Sequence, residues 1–239
     1  MIVSYKYGFI LFRIKKTAST AVELGLSTIC GPEDIISPMG RRQELLREQS
    51  GVYPRNFNKD KDLESRYVAA VKTGRKRLMR EILAENLASG GCTGHMSAAR
   101  VKTWVSDDFW NSAYKFATER HPYEKAVSLA YFRKGNATSV GFEEHLDRTV
   151  RDDYKDYSGF HLYAIDGQSV MDGYLLQHTL NDDIERLRQR LNLPAFELPR
   201  ARSDTRIDRR PASEILSDEQ KEFIYSKCKA EFDLFGWKR

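Results

Sequence analysis

A short polar segment near the start of the chain could bind a phosphate group. It reads Lys15-Lys16-Thr17-Ala18-Ser19-Thr20, between a β-rich apolar run at 9–14 and a stretch of helical period at 20–29. The start of a helix offers free backbone N–H groups and the positive end of the helix dipole, which together attract an anion. The hydroxyl groups add donors, and a lysine adds a mobile positive charge. The GxxxxGK[ST] spacing of a Walker loop is absent, and an ordinary capped helix with solvated lysines is the alternative.

A second group of candidate anion ligands lies around Arg120. This arginine follows the run 114–118, which we interpret as a buried strand, and His121-Pro122 then opens a predicted helix that reaches about 133. The forked donors of an arginine suit a phosphate, and ligands of open α/β sheets bind at the carboxyl ends of the strands. Ser128, about two helical turns further on, can reach the same anion. The alternative is an exposed arginine and a serine on a helix surface.

The elements that must position these residues alternate between strands and helices. The run 9–14 is nearly continuous in apolar residues, which is typical of a strand buried on both faces. A turn and a helix follow it, and Gly31-Pro32 ends that helix. The same order of strand, turn and helix recurs at 114–133. We therefore predict an α/β fold, with a single domain over residues 1–239 and a mostly parallel central sheet flanked by helices.

The remaining segments give further predictions. The stretch 37–63 is expected to be irregular, with one helical patch at 43–49. Helices are predicted at 78–87, 96–105, 142–150 and 181–191, and a turn or helix at 107–112. Strands are predicted at 160–164 and 174–176, and a basic loop at 199–211. Ser217, with Gln220 three residues later, predicts the capped start of a last helix that runs to about 232.

Composition excludes several classes of protein. Of the 239 residues, 41% are hydrophobic and 31% are charged, which is ordinary for a globular protein and argues against a disordered or fibrous one. Cys30, Cys92 and Cys228 are far apart and odd in number, which predicts free thiols in a reducing compartment rather than a disulfide framework or a zinc site. We expect a cytoplasmic protein, because the sequence shows neither a signal-peptide pattern nor an apolar run long enough to cross a membrane.

The net charge of +5 and the pI near 9.0 favour anionic partners. Much of the excess lies within 41–80, including the run Lys72, Arg75, Lys76, Arg77 and Arg80. This stretch indicates either contacts with an anionic acceptor or a solvated basic face. A nucleic-acid-binding module would interleave aromatic residues with the basic ones, and the stretch 72–80 contains none. We therefore expect no nucleic-acid partner.

Taken together, the two anion-binding segments resemble the nucleotide-binding elements of the sulfotransferase superfamily. The closest likeness is to its Golgi-type carbohydrate branch and the bacterial relatives of that branch. The segment 15–21 resembles the 5′-phosphosulfate loop, Pro-Lys-Thr-Gly-Ser/Thr-Thr-Ser, and 120–128 resembles the 3′-phosphate motif, Arg-x-Pro-x-x-Arg-x-x-Ser. Three more segments agree with this branch: 94–98, which carries His95, 174–183 and 232–237. The resemblance covers 9–237 apart from roughly 37–87, which we interpret as a variable insertion on the acceptor side.

The resemblance implies a P-loop-like nucleotide-binding core and the donor 3′-phosphoadenosine 5′-phosphosulfate (PAPS). It implies that Lys16 contacts the bridging oxygen and that Arg120 and Ser128 hold the 3′-phosphate. The 5′-phosphate would lie on Lys15, Lys16, Thr17, Ala18, Ser19 and Thr20. His95 is the candidate base for the acceptor, a hydroxyl or amine of a carbohydrate or small molecule, with Glu119 and His121 as weaker candidates. We expect that no metal is required, because Lys16 would neutralise the charge on the bridging oxygen and His95 would accept the proton of the acceptor.

The sequence also departs from the family pattern. Lys15 stands where the family has Pro, Ala18 where Gly is usual, and Ala21 where Ser is usual. A Gly position can require a positive φ, which Ala resists. His121 replaces Asp or Asn, and Lys125 replaces Arg. Two alternative functions stay open: a phosphoryl transferase of the nucleotide-kinase type, which predicts a Walker loop and an acidic magnesium ligand, and a sulfotransferase-like binding protein without activity.

Overall fold

A five-stranded mixed sheet lies at the centre of the protein. The computed structural model describes residues 1–134, 141–199 and 208–239. The strands in chain order are β1 (Ile2–Ser4), β2 (Phe9–Phe12), β3 (Ile35–Ile36), β4 (Tyr114–Glu119), β5 (Ala164–Ile165), β6 (Gln168–Ser169) and β7 (Gly173–Leu176). The spatial order in the sheet is β3-β1-β2-β4-β7, and β5 and β6 pair separately. β2 and β7 are parallel to β4, and β1 is antiparallel to both neighbours, so four strands share one direction.

Helices cover both faces of the sheet. They are α1 (Ser19–Ser27), α2 (Arg41–Gln49), α3 (Lys61–Lys72), α4 (Lys76–Ala88), α5 (Ala98–Lys102), α6 (Asp107–Ser112), α7 (Pro122–Lys134), α8 (Phe142–Asp152), α9 (Phe160–Tyr163), α10 (Leu180–Leu191), α11 (Ala212–Ile215) and α12 (Asp218–Phe235). The order of strand, turn and helix occurs three times, as β2 to α1, β4 to α7 and β7 to α10. The prediction of an α/β fold with a mostly parallel, helix-flanked sheet is therefore confirmed.

Strand β2 is the centre of the core. All four of its side chains are buried, as the continuous apolar run predicts. Phe9 and Leu11 belong to a cluster that also contains residues of α1 and α10. Ile10 and Phe12 belong to a cluster on the opposite face, together with residues of α3, α4 and α5. Because successive side chains of a strand point to opposite faces, β2 packs against both helical layers. This packing fixes the position of the loop that follows β2.

A buried ion network holds the C-terminal end of β4. Lys125 Nζ lies 2.9 Å from a carboxylate oxygen of Glu119 and 3.9 Å from Glu231, and all three side chains are at most 1% exposed. Tyr163 Oη donates to the same Glu119 carboxylate at 3.1 Å. Burial lowers the pKa of Lys125, but Glu119 and Glu231 more than offset that effect and the net shift is upward. The network ties β4, α7, α9 and α12 together directly behind Arg120.

The structure corrects several predicted elements. The stretch 160–164 is not a strand, because Phe160–Tyr163 forms a single helical turn and only Ala164 enters a short hairpin. The stretch 37–63 is more regular than predicted, since α2 begins at Arg41 and the first residues of α3 fall within it. The helix predicted at 96–105 is shorter, and β1 and most of α3 were not predicted. The capping box between Ser217 and Gln220 at the start of α12 is confirmed.

Two further sequence predictions concern cysteines and the basic loop. Cys30, Cys92 and Cys228 are free thiols, as predicted. Most of the loop predicted at 199–211 lies outside the described residues. Within the described ranges, no helix combines the length and the apolar composition needed to cross a membrane.

Candidate functional site

A cleft of about 960 Å³ opens at the C-terminal ends of the parallel strands. Each of the three parallel strands β2, β4 and β7 leads into its wall, and the lining includes Lys16, Arg120 and Gln177, which follow these strands in turn. Because these ends meet at one edge of the sheet, the loops converge there, where open α/β sheets bind their ligands.

The cleft brings together almost every residue that the sequence singles out. Its lining includes Lys15, Lys16, Ala18, Ser19, Thr20, His95, Arg120 and Ser128. Among the residues of the predicted 5′-phosphate loop, Thr17 is the exception, because its side chain is fully buried. Its hydroxyl lies 2.8 Å from Ile14 O and 2.7 Å from the hydroxyl of Thr118. Thr17 therefore anchors the loop to β4, and only its backbone could face a ligand.

The loop between β2 and α1 contains two residues in the left-handed region. Lys16 and Ala18 both have φ of 65°, a conformation that non-glycine residues adopt at a cost of about 1–2 kcal/mol. Ala18 is the N-cap of α1 and contributes no side-chain cap. Among the described residues, Ala21 is the first of α1 whose backbone N–H donates to a carbonyl, that of Ala18 at 3.0 Å. The earlier N–H groups of α1 are therefore available to an anion.

The hydroxyl groups of this loop do not all serve the cleft. Ser19 donates its hydroxyl proton to Ile14 O at 2.8 Å, so it turns inward like Thr17. Thr20 behaves differently, because its oxygen accepts from Arg13 Nη2 at 3.0 Å and its proton stays available to a ligand. The three hydroxyl donors predicted from the sequence thus reduce to Thr20.

Arg13 is a cleft residue that the sequence reasoning missed. It lines the cleft at only 8% exposure, and its Nη1 lies 3.1 Å from a carboxylate oxygen of the fully buried Glu23. Its Nε atom has no hydrogen-bond partner among the described residues. The buried Arg13 guanidinium donates a hydrogen bond to Thr20 and raises the positive potential of the loop. An arginine at the end of an otherwise apolar strand was the available sequence signal.

His95 reaches the cleft from the segment before α5. Its Nδ1 lies 2.9 Å from the backbone oxygen of Arg13. Because a carbonyl can only accept, Nδ1 carries the proton of the neutral ring and Nε2 holds the lone pair. Burial and, secondarily, the positive charge of Arg13 lower the pKa of His95 to about 3. The ring is therefore neutral at physiological pH.

Arg120 belongs to the second candidate anion site. Its Nη2 is 2.9 Å from a carboxylate oxygen of Glu124, whose other oxygen accepts from the backbone N–H of Ala212 at 2.8 Å. The two weaker candidate bases do not line the cleft. Glu119 is fully buried in the ion network, and His121 directs Nε2 towards Lys238 O at 3.1 Å.

The charge of the cleft is strongly positive. Its described lining contains seven cationic side chains and a single carboxylate, that of Asp156; the cations are Arg13, Lys15, Lys16, Arg42, Arg120, Arg133 and Arg209. Lys15 and Arg133 both form ion pairs with Asp156. Lys16 Nζ lies 4.1 Å above the centre of the Phe132 ring. Such an excess of cations, in a concave site, concentrates anionic ligands.

One wall of the cleft comes from the segment predicted as a variable insertion. Helix α2 contributes Arg42, Gln43, Leu45 and Leu46 to the lining. The sequence gives no direct sign of this, because only the tertiary packing of α2 brings its face to the loop after β2. The sequence reasoning also missed Arg133, which lies one helical turn after Leu129, another residue of the cleft lining.

Among the described residues, no group of three or more histidine, cysteine, aspartate or glutamate side chains could hold a metal ion. Comparisons with protein-family models, with curated proteins and with solved structures found no match to this chain.

Proposed function

We propose that the protein transfers the sulfuryl group of PAPS to an acceptor hydroxyl or amine, on a sulfotransferase fold. The observation that carries the proposal is the meeting of two separate anion sites in one cationic cleft. The loop with Lys16 follows β2, and Arg120 with Ser128 follows β4, which is the parallel neighbour of β2. A donor with phosphate groups on both the 3′ and the 5′ oxygen of its ribose needs such a pair of sites.

The loop after β2 supports the 5′-phosphosulfate end of the donor. The N–H groups at the start of α1 and the hydroxyl of Thr20 would donate to the phosphate oxygens. Lys16 would leave the face of Phe132 and neutralise the bridging oxygen as the S–O bond to the phosphate breaks. Preorganised positive charge at a developing anion is usually the largest catalytic contribution. The left-handed φ of Ala18 supports binding of the donor by this loop. Alanine adopts here the left-handed conformation that the family loop reaches with glycine.

Arg120 and Ser128 support recognition of the 3′-phosphate. Arg120 is paired with Glu124, so a bound phosphate would share or displace that carboxylate. Because a phosphate accepts two parallel hydrogen bonds from a guanidinium, it can compete with this partly buried pair. The same contact would separate PAPS from nucleotides that lack a 3′-phosphate.

His95 would act as the base. The acceptor oxygen or nitrogen attacks sulfur, the bond from sulfur to the bridging oxygen breaks, and the acceptor proton passes to Nε2 of His95. A pKa of about 3 would make a weak base, since general bases work best near the operating pH. The negative charges of the bound donor would raise that pKa. His95 would therefore become an effective base only once the donor is bound. The proposed reaction would need no metal.

A kinase-like phosphoryl transfer receives less support from the same cleft. Magnesium sites in such enzymes use carboxylates next to the nucleotide phosphates. Here Asp156 is paired with Lys15 and Arg133, and Glu119 is buried behind β4. The geometry therefore favours the sulfuryl donor over a nucleoside triphosphate with magnesium.

The test is calorimetric titration with 3′-phosphoadenosine 5′-phosphate (PAP), the product of the donor. Adenosine 5′-phosphate is the ligand control. Arg120→Ala is compared with Arg148→Ala, since Arg148 is 57% exposed on α8 and lies outside the cleft lining. We expect Arg120→Ala to weaken PAP binding by roughly 10- to 100-fold, because hydrogen bonds to charged groups contribute about 1.5–3 kcal/mol. Binding of adenosine 5′-phosphate should change little in either variant.

Equal binding of PAP and adenosine 5′-phosphate to the wild-type protein would refute the donor assignment. So would an equal loss of both ligands in Arg120→Ala. Binding of ATP with magnesium in preference to PAP would favour the phosphoryl transferase instead. Confirmed PAP binding leads to transfer assays with candidate acceptors.

A further inference from the structure

Two carboxylates hold Arg120, one at its backbone and one at its side chain. Its backbone N–H donates to Glu119 at 2.8 Å, and Glu119 is itself fixed in the buried ion network behind β4. Its Nη2 atom lies 2.9 Å from a carboxylate oxygen of Glu124. A side chain that is already ordered loses less conformational freedom when a ligand binds. The affinity of Arg120 for an anion therefore depends on both carboxylates.

Glu124 contacts Arg120 from outside the cleft. Within the described residues, the cleft lining includes Arg120 and Ser128 but not Glu124. Glu124 lies in the first turn of α7, where the helix dipole favours a negative charge. Ser128 follows it by one helical turn. A phosphate held by Arg120 and Ser128 would therefore approach the guanidinium from the cleft, without taking the place of Glu124.

A segment 88 residues further along the chain anchors the carboxylate of Glu124. Its second oxygen accepts from the backbone N–H of Ala212 at 2.8 Å. Ala212 is the first residue of α11 and is buried. It packs with Leu216 in the same core cluster as Val127 and Ala130 of α7. The carboxylate is therefore held beside Arg120 as long as α11 is packed on α7.

We propose that Glu124 is a positioning residue for Arg120 and that, together with α11, it sets the preference of the second anion site for a 3′-phosphate. The inference rests on the proposed function, because it concerns recognition of that same donor. Glu124 would hold the guanidinium against the cleft wall, so that the 3′-phosphate meets an ordered Arg120. A 5′-phosphate on the loop after β2 would gain nothing from this contact.

A positioning role and a competing role for Glu124 predict opposite effects of its removal. If Glu124 competed with the ligand, or acted only through its charge, Glu124→Gln would strengthen PAP binding, because the site would lose a negative charge. If Glu124 positions Arg120, the same variant should weaken PAP binding, because a mobile Arg120 must then be ordered by the ligand. Ordering one flexible side chain corresponds to a loss of affinity of roughly threefold to tenfold.

The test is calorimetric titration of wild type, Glu124→Gln and Glu144→Gln with PAP and with adenosine 5′-phosphate. Glu144 is the matched control, because it faces Arg148 across one turn of α8 at 3.5 Å and is 69% exposed. We expect Glu124→Gln to weaken PAP binding by roughly threefold to tenfold and to leave binding of adenosine 5′-phosphate unchanged. Glu144→Gln should alter neither affinity.

A second variant, Ala212→Pro, tests the contribution of α11. It removes the N–H that holds Glu124, at the first position of a helix, where proline is tolerated. The preceding residue, Pro211, has ψ of 146°, which suits a residue before proline. We expect the same selective loss of PAP affinity as in Glu124→Gln, with Tm measured to verify folding. Unchanged PAP binding in the folded variant would overturn the role of α11.

The double variant Arg120→Ala/Glu124→Gln decides whether Glu124 acts through Arg120. We expect it to bind PAP no more weakly than Arg120→Ala alone, since two residues in one interaction are not additive. Further weakening in the double variant would overturn the positioning role and leave the donor assignment intact. So would unchanged or tighter PAP binding in Glu124→Gln, or an equal loss of both nucleotides. Equal binding of PAP and adenosine 5′-phosphate by the wild type would refute the proposed function, and this inference with it.

Discussion

Replacing Ala18 with glycine should stabilise the protein, although glycine usually destabilises the chain. Ala18 has φ of 65° at the N-cap of α1. Relief of the left-handed strain contributes about 1–2 kcal/mol, and the greater entropy of glycine in the unfolded chain removes about 0.5–1 kcal/mol. The net gain is about 0.5–1 kcal/mol, which in a chain of this size raises Tm by about 1–4 °C. Glycine is also a better N-cap than alanine.

The assay compares Tm and the urea midpoint of wild type, Ala18→Gly and Ala21→Gly. Ala21 lies one turn further into the same helix, where glycine costs about 1 kcal/mol relative to alanine. The two variants therefore make the same chemical change at one site that favours glycine and one that does not. A loss of stability in Ala18→Gly as large as that in Ala21→Gly would refute the left-handed conformation of Ala18. PAP binding should survive Ala18→Gly, because the backbone N–H groups keep their direction.

Two further predictions concern buried titratable groups. The folded pKa of His95 is about 3, below its ordinary value of 6.5, so the unfolded state binds more protons between these limits and stability falls as pH drops through them. His95→Gln should therefore lose less stability between pH 6.5 and 3 than the wild type does, as measured by urea midpoints; equal losses would contradict the buried, neutral ring. Lys125→Met should lower the free energy of unfolding by about 3–5 kcal/mol, because it leaves Glu119 charged and unpaired in the core. Adding Glu119→Gln should restore part of that loss, and no recovery would contradict the ion pair.

The sequence predicts the side of the cleft that carries Lys16, Arg120 and Ser128 because its signals are local. Strand β2 and strand β4 are short apolar runs, and each is followed within a few residues by polar loops and a helix start. Parallel strands place such loops at one edge of the sheet. Lys16, His95, Arg120 and Ser128 therefore lie in one cleft, as the motifs indicate.

The contribution of individual α2 residues and of Asp156 to the cleft could not be predicted in the same way, because tertiary contacts create it. Helix α2 lines the cleft only through its packing beside α1, and Asp156 arrives there from a short turn after α8. The wrong prediction of a strand at 160–164 also shows that tertiary contacts override local sequence signals. Its apolar and aromatic residues have high strand propensity, but Glu231 accepts from the backbone N–H groups of Gly159 and Phe160 at 2.8 and 3.2 Å and holds the segment in a helical turn.

The parallel pairing of β2 with β4 has a consequence for how the protein acquires its site. The register joins Phe9 to Tyr114, so the contact encloses all of α1 to α6. Closing so long a loop is slow, because chain entropy is lost before the pairing rewards it. The two anion sites do not exist as a unit until that step is complete. Under the proposed function, a nascent chain would therefore have no donor site until synthesis has passed Ser128, and PAP added during refolding would trap only molecules that had already formed the pairing.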